Sequence, residues 1–93
     1  MARNSMVRMK RKLNVTELSG EKVMVDFQTG KYFMIKGIGN DIWDMLGDEK
    51  IKVSEIIRRI LEDYEVDEAT CEEQVLEFLG HLQGLGILEV GAN

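Results

Sequence analysis

The residues able to do chemistry in this chain of 93 are few: one thiol, Cys71, and one imidazole, His81. Nucleophilic catalysis by Cys71 would need a base beside it, and His81 lies almost three turns along the same predicted helix. Cys71 therefore reads as a small core residue, and His81, among polar positions, as a surface histidine. One cysteine and one histidine cannot build a Cys/His zinc site. The carboxylate pairs Glu62-Asp63 and Glu72-Glu73 read as a solvated helix face. No glycine-rich loop is followed by a phosphate-binding lysine, and no His-Glu-x-x-His helix occurs. Gly37-Ile38-Gly39 and Gly47 mark turns. These observations predict no catalytic residue, no metal and no cofactor, and hence a protein that is not an enzyme.

Size and charge narrow the classes further. A chain this short forms one domain. A single cysteine makes no internal disulfide and fits a reducing cytoplasm. No run of about 18 apolar residues exists to span a membrane, and the Met-Ala-Arg-Asn-Ser start lacks the features of a secretory signal. The formal charge is −5, from 12 Lys plus Arg against 17 Asp plus Glu. It is unevenly spread: Arg3, Arg8, Lys10, Arg11 and Lys12 precede any acid, and no Lys or Arg follows Arg59 while nine acids do. The body should repel phosphate and favour a basic partner. Residues 1–8 are expected to be a flexible basic arm, 9–90 the domain, and 91–93 a tail.

The elements that must position any site follow from periodicity. Residues Met9–Glu17 alternate, with Met9, Leu13 and Val15 apolar and Arg11 breaking the pattern, as a half-buried strand does. Leu18-Ser19-Gly20-Glu21 turns into a second strand at Lys22–Phe27. Gln28-Thr29-Gly30 reads as a three-residue hairpin loop with a glycine bulge. That register puts Val23, Val25, Phe33 and Ile35 on one face. The third strand, Lys31–Ile35, is apolar on both faces, so Tyr32 and Met34 need a cover, either the helices or a partner.

Three helices follow. Ile38, Ile42, Met45 and Leu46 define the first. The second runs from Ser54, a candidate N-cap, to Tyr64. The third runs from an N-cap at Asp67 to Gln83, stopped by Gly84 and Gly86, and Ile87–Val90 forms a short extended tail. On the third helix Cys71, Val75, Leu76, Phe78, Leu79, Leu82 and Leu85 cover an arc of about 180°, wider than one core requires. The excess is either burial between two neighbours or a groove, with Glu72, Glu73 and Glu77 near its rim. The fold class is α+β and winged-helix-like: a three-stranded antiparallel sheet followed by three helices.

A winged helix raises the possibility of a DNA-binding regulator that uses the basic arm. Its last helix, however, offers a duplex Glu72, Glu73 and Glu77 where Arg or Lys is needed. The other reading is peptide recognition. An extended peptide adds beside Lys31–Ile35, and the last helix supplies pockets.

The order of signals then resembles a known family. Val25-Asp26-Phe27-Gln28-Thr29-Gly30-Lys31-Tyr32, Gly39-Asn40-Asp41-Ile42-Trp43, Tyr64-Glu65-Val66-Asp67, Val75-Leu76-Glu77-Phe78-Leu79 and Leu82-Gln83-Gly84-Leu85-Gly86-Ile87-Leu88 stand in sequence. Together they look like the PqqD-like family of RiPP precursor peptide recognition elements, over roughly residues 13–90. The resemblance implies a cytoplasmic, non-catalytic domain. It would bind the leader segment of a ribosomally made precursor peptide beside the third strand and third helix, for a separate leader peptidase or modifying enzyme. Mapped residue by residue, it implicates Lys31, Tyr32, Phe33, Met34, Ile35, Lys36, Cys71, Glu72, Val75, Leu76, Phe78, Leu79 and Leu82. Which edge of the helix face is groove stays open. Ile35-Lys36 stands where the pyrroloquinoline-quinone type, partner of a radical enzyme, carries Leu-Asn. That favours the free-standing lasso-peptide type, as a monomer or weak dimer, with no nucleic acid or membrane partner.

Overall fold

A computed structural model of the chain describes residues 1–11, 14–19, 21–26 and 29–91. In chain order the elements are β1 (Met6–Met9), β2 (Asn14–Leu18), β3 (Glu21–Asp26), β4 (Lys31–Ile35), α1 (Ile38–Met45), β5 (Ile51–Lys52), α2 (Val53–Asp63), α3 (Glu68–Gly84) and β6 (Leu88–Gly91). The expected antiparallel meander is β2-β3-β4, and the three expected helices follow it. A second three-stranded sheet, β5-β1-β6, makes the strand order depart from a simple winged helix.

That second sheet corrects the reading of the N-terminus. Residues 6–9 are a central strand, not part of a free arm. Met6–Met9 pair with Leu88–Gly91, and Met6 and Val7 pair also with Ile51–Lys52. Val7 and Met9 are buried while Met6 and Arg8 are partly exposed. The alternation was present in the sequence but was obscured by the basic residues around it. The single strand expected over Met9–Glu17 is two strands, and Leu13 lies outside the described residues.

Two of the basic side chains near the N-terminus, Arg3 and Arg8, are engaged in ion pairs. Arg3 donates to Glu68 at 3.0 Å and also to Glu72, and Arg8 donates to Glu89 at 2.8 Å. The start of α2 also depends on this segment. Val53 N–H and Ser54 N–H, two of the donors a helix start leaves without partners, give hydrogen bonds to the carbonyls of Ser5 and Arg3. Lys52 occupies the N-cap position with no side-chain cap, so the expected Ser54 cap is replaced by backbone from the distant segment that leads into β1. At α3 the expectation holds: Asp67 caps the helix, accepting from Thr70 N–H at 3.0 Å.

The hairpin register is also corrected. Asp26 pairs with Lys31, Val25 with Tyr32, Met24 with Phe33 and Val23 with Met34. This is one residue away from the three-residue-loop register. The connection spans residues 27–30, and the expected pair at Phe27 lies outside the described residues. A one-residue slip exchanges the faces. Met24, Phe33 and Ile35 therefore turn toward the helices, with Met24 and Ile35 each 1% exposed, while Val23 and Val25 turn outward. The core lies between this inner face, the three helices and β1–β6. It is built on Ile42, Val53, Ile56, Ile60, Val75, Leu79, Leu82 and Ile87.

Candidate functional site

β4 is the edge of its sheet, bonded to β3 on one side and to no other strand among the described residues. Its run Tyr32-Phe33-Met34-Ile35 contains no proline and no charge. Phe33 tilts toward α3, where the His81 ring meets it edge-on, with centroids 4.9 Å apart and planes at 80°. Beyond them a cavity of about 400 Å³ opens between the β4–α1 connection and α3, lined by Lys36, Gly37, Ile38, Gly39, Gln74, Glu77, Phe78 and His81.

The backbone at the cavity mouth is shaped by glycine. Gly37 has φ 62°, a left-handed conformation that costs an L side chain energy, and it turns the chain from β4 into α1. Gly39 is buried, and a Cβ there would stand 3.1 Å from Phe78 Cε1 and 3.3 Å from Ile35 Cγ2. The absence of a side chain lets α1 close on both.

The structure divides the wide apolar face of α3. Cys71, Val75, Leu79 and Leu82 are fully buried; they are core and present no surface to a ligand. Burial pushes the Cys71 thiol above its ordinary pKa, and Sγ lies 3.9 Å from the Ile57 carbonyl, so it is held as a neutral thiol. Phe78 stands on the cleft flank. Glu72 and Leu76 fall on the opposite flank, about 100–140° around the helix from Cys71. There Glu72 accepts from Arg3, which is where the resemblance-based assignment of these two residues to the site parts from the geometry.

Of the rim carboxylates only Glu77 lines the cavity. Glu72 is engaged, and Glu73 points to solvent. Lys31 and Lys36, both exposed, bracket the apolar run of β4. The expected rim of three carboxylates is thus reduced to one at the cavity. Gln74 and His81 were not read as site residues. With Glu77 and Phe78 they occupy i, i+3, i+4 and i+7, a single helix stripe, so the signal was there once the core arc was known.

Among the described residues no group of three or more His, Cys, Asp or Glu is placed to hold a metal, and no helix is long and apolar enough to cross a membrane. A second depression of about 420 Å³ runs along Asp44–Ile51 and Arg59. Asp44 and Arg59 there are already paired with Lys22 and Glu55.

An edge strand beside a half-apolar cleft defines a class of small α+β domains, and comparison with known proteins identifies it. The sequence pattern of the coenzyme PQQ synthesis protein D (PqqD) family matches residues 21–88, and the chain belongs to this family. It is also similar to a solved structure, TbiB1 in complex with the TbiA(beta) leader peptide. The two share 30% identity and a TM-score of 0.72, over 88% of this chain and 94% of that one. No curated protein sequence matches the chain.

Proposed function

We propose that this protein binds the leader segment of a ribosomally made precursor peptide as a fourth strand on β4 and holds it for a separate peptidase or modifying enzyme, most like the lasso-peptide type, in the cytoplasm. The chain has no catalytic role of its own in this reading. The observation that carries it is the uncapped edge Tyr32–Ile35 lying alongside the Phe33–Phe78–His81 cleft. Main-chain bonds along the edge supply affinity, and the cleft takes alternate side chains. The similarity to a leader-bound structure supports the same reading.

Charge refines the ligand. Lys31 and Lys36 stand at the two ends of the edge and favour carboxylates flanking an apolar stretch, while Glu77 marks one place for a donor. The DNA-binding reading is disfavoured, because two of the five basic residues it relied on, Arg3 and Arg8, are ion-paired with Glu68, Glu72 and Glu89.

Isothermal titration with the synthetic leader of the precursor tests the reading. Phe78→Ala and Met34→Asp should weaken binding while both proteins remain folded by circular dichroism. Unchanged affinity in either folded variant would sink this site.

A further inference from the structure

β4 carries two rows of side chains. Phe33 and Ile35 turn toward the helices. Tyr32 and Met34 turn to the sheet face that no helix covers, where they are 73% and 48% exposed. They are supported there: Tyr32 lies beside Val25 and Met34 beside Val23 on β3, and both valines are half-buried. The result is an apolar cluster backed on one side by β3 and open on the side of the free edge. Edge strands are commonly protected by a lysine within the strand, a proline or a bulge. Tyr32–Ile35 has none of these, and its lysines stand only at the ends.

We infer that the β4 edge reads a bound peptide on both faces: alternate residues enter the cleft, and the residues between them pack on Tyr32 and Met34 and are selected to be aromatic or aliphatic. This rests on the strand addition proposed above and adds a second row of specificity to it. Neighbouring strands lie about 4.8 Å apart, and consecutive side chains point to opposite faces. A peptide paired with residues 32–35 therefore cannot present side chains to the cleft alone. Its intervening residues come to within about 5 Å, Cβ to Cβ, of Tyr32 and Met34. Polar residues there would leave the cluster wet, while apolar residues would complete cross-strand pairs on both sides of β4.

The occupant is thus the outer row of the peptide itself. A second copy of the chain is the weaker candidate, since two molecules of net charge −5 repel at low salt.

The test uses a displayed library of random decapeptides selected on the intact protein, on a Tyr32→Thr/Met34→Thr variant and on Phe78→Ala. Both substituted residues of the double variant are exposed, and threonine suits a strand, so its melting curve should match that of the wild type. The wild type is expected to select apolar residues at four consecutive positions. The double variant should lose the preference at two alternating positions, and Phe78→Ala at the other two. For a labelled peptide selected on the wild type, fluorescence anisotropy should show roughly three- to tenfold weaker binding to the double variant, the range two cross-strand pairs supply.

If the outer positions show no apolar preference, or the double variant selects the same residues at the same affinity, the two-faced reading fails. Strand addition survives in that case provided Phe78→Ala still alters the inner positions. If the wild type selects no aligned peptides at all, both readings fall together. A wild-type dimer that the double variant dissociates in sedimentation velocity would overturn the inference in favour of a second copy.

Discussion

Gly39→Ala separates what holds the fold from what shapes the cleft. The new Cβ would lie 3.1 Å from Phe78 Cε1 and 3.3 Å from Ile35 Cγ2, inside ordinary van der Waals contact, so a neighbour must shift by a few tenths of an ångström. Ile35 is 1% exposed and has no room. Phe78 borders the 400 Å³ cavity and can move into it. Overpacking commonly costs about 1–3 kcal/mol, but a neighbour with open space behind it should put this site at the low end. Replacing glycine by alanine near a helix start returns up to about 1 kcal/mol. The two terms nearly cancel, and the melting temperature should stay within a few degrees of the wild type.

The cleft gains nothing in return. A peptide side chain meeting a displaced Phe78 faces the same overpacking of about 1 kcal/mol, which is about fivefold in Kd. Thermal denaturation and isothermal titration with the leader, run on the same samples, give the two numbers. Wild-type affinity in a protein of unchanged stability would refute the claim that Phe78 contacts the peptide. A loss of several kcal/mol of stability would refute the claim that Phe78 yields.

Three further outcomes follow from the charges and the thiol. Glu72→Gln should leave leader affinity unchanged, whereas Glu77→Lys should alter it and alter its dependence on salt, because only Glu77 lines the cleft; titrations at two salt concentrations distinguish them. Hydrogen bonds from Arg58 and then Arg59 hold the Glu55 carboxyl at about 2 instead of its ordinary 4.5. A depressed carboxylate stabilises the fold above its unfolded pKa, and that contribution is lost as pH falls from about 4.5 to about 2. Glu55→Gln should flatten the acid-unfolding profile in that window, lowering stability modestly at pH 7 and converging with the wild type near pH 2. Cys71, fully buried and with its pKa raised, should react with a thiol reagent only as fast as the domain opens; labelling at the rate of a free thiol under native conditions would contradict its place in the core.

Much of this was legible from local pattern. Asp67 announced the start of α3, and Gly84 with Gly86 its end, because caps and breakers act within a few residues. The hairpin register was not legible, for a definite reason. Val23, Met24 and Val25 are all apolar, and β-branched residues ordinarily claim the inner face, so the valines concealed that Met24 is the buried one. Their outward placement makes sense only with Tyr32 and Met34 beside them. The strand β1 was hidden because its partners, Ile51–Lys52 and Leu88–Gly91, are more than 40 residues away in sequence. The division of α3 into core and cleft likewise depended on where β4 and the N-terminal segment pack, which periodicity cannot report. Glu72 looked like a rim residue until Arg3 was found to hold it.

An apolar edge left open is a hazard for a small domain, and the placement of Lys31 and Lys36 bears on how it is contained. If two copies paired antiparallel about Phe33, Tyr32 of each would oppose Met34 of the other, an attractive match. The same register sets Lys31 of each copy opposite Ile35 of the other, with Lys36 one position further along on the other face, so two lysines gather at each end of a five-residue ladder, on top of the repulsion between two acidic bodies. Like charges gathered within about 10 Å of one another repel at ordinary salt, and lysine is a common guard of natural sheet edges. A peptide bearing carboxylates at those two points meets the opposite sign at both. The same pair of lysines thus disfavours the self-match and favours the ligand, so β4 need not sacrifice its apolar run to stay unpaired. Substituting both lysines by glutamine should accordingly raise self-association and lower affinity for an acidic-flanked leader together, and sedimentation with titration would expose any case in which only one of the two moves.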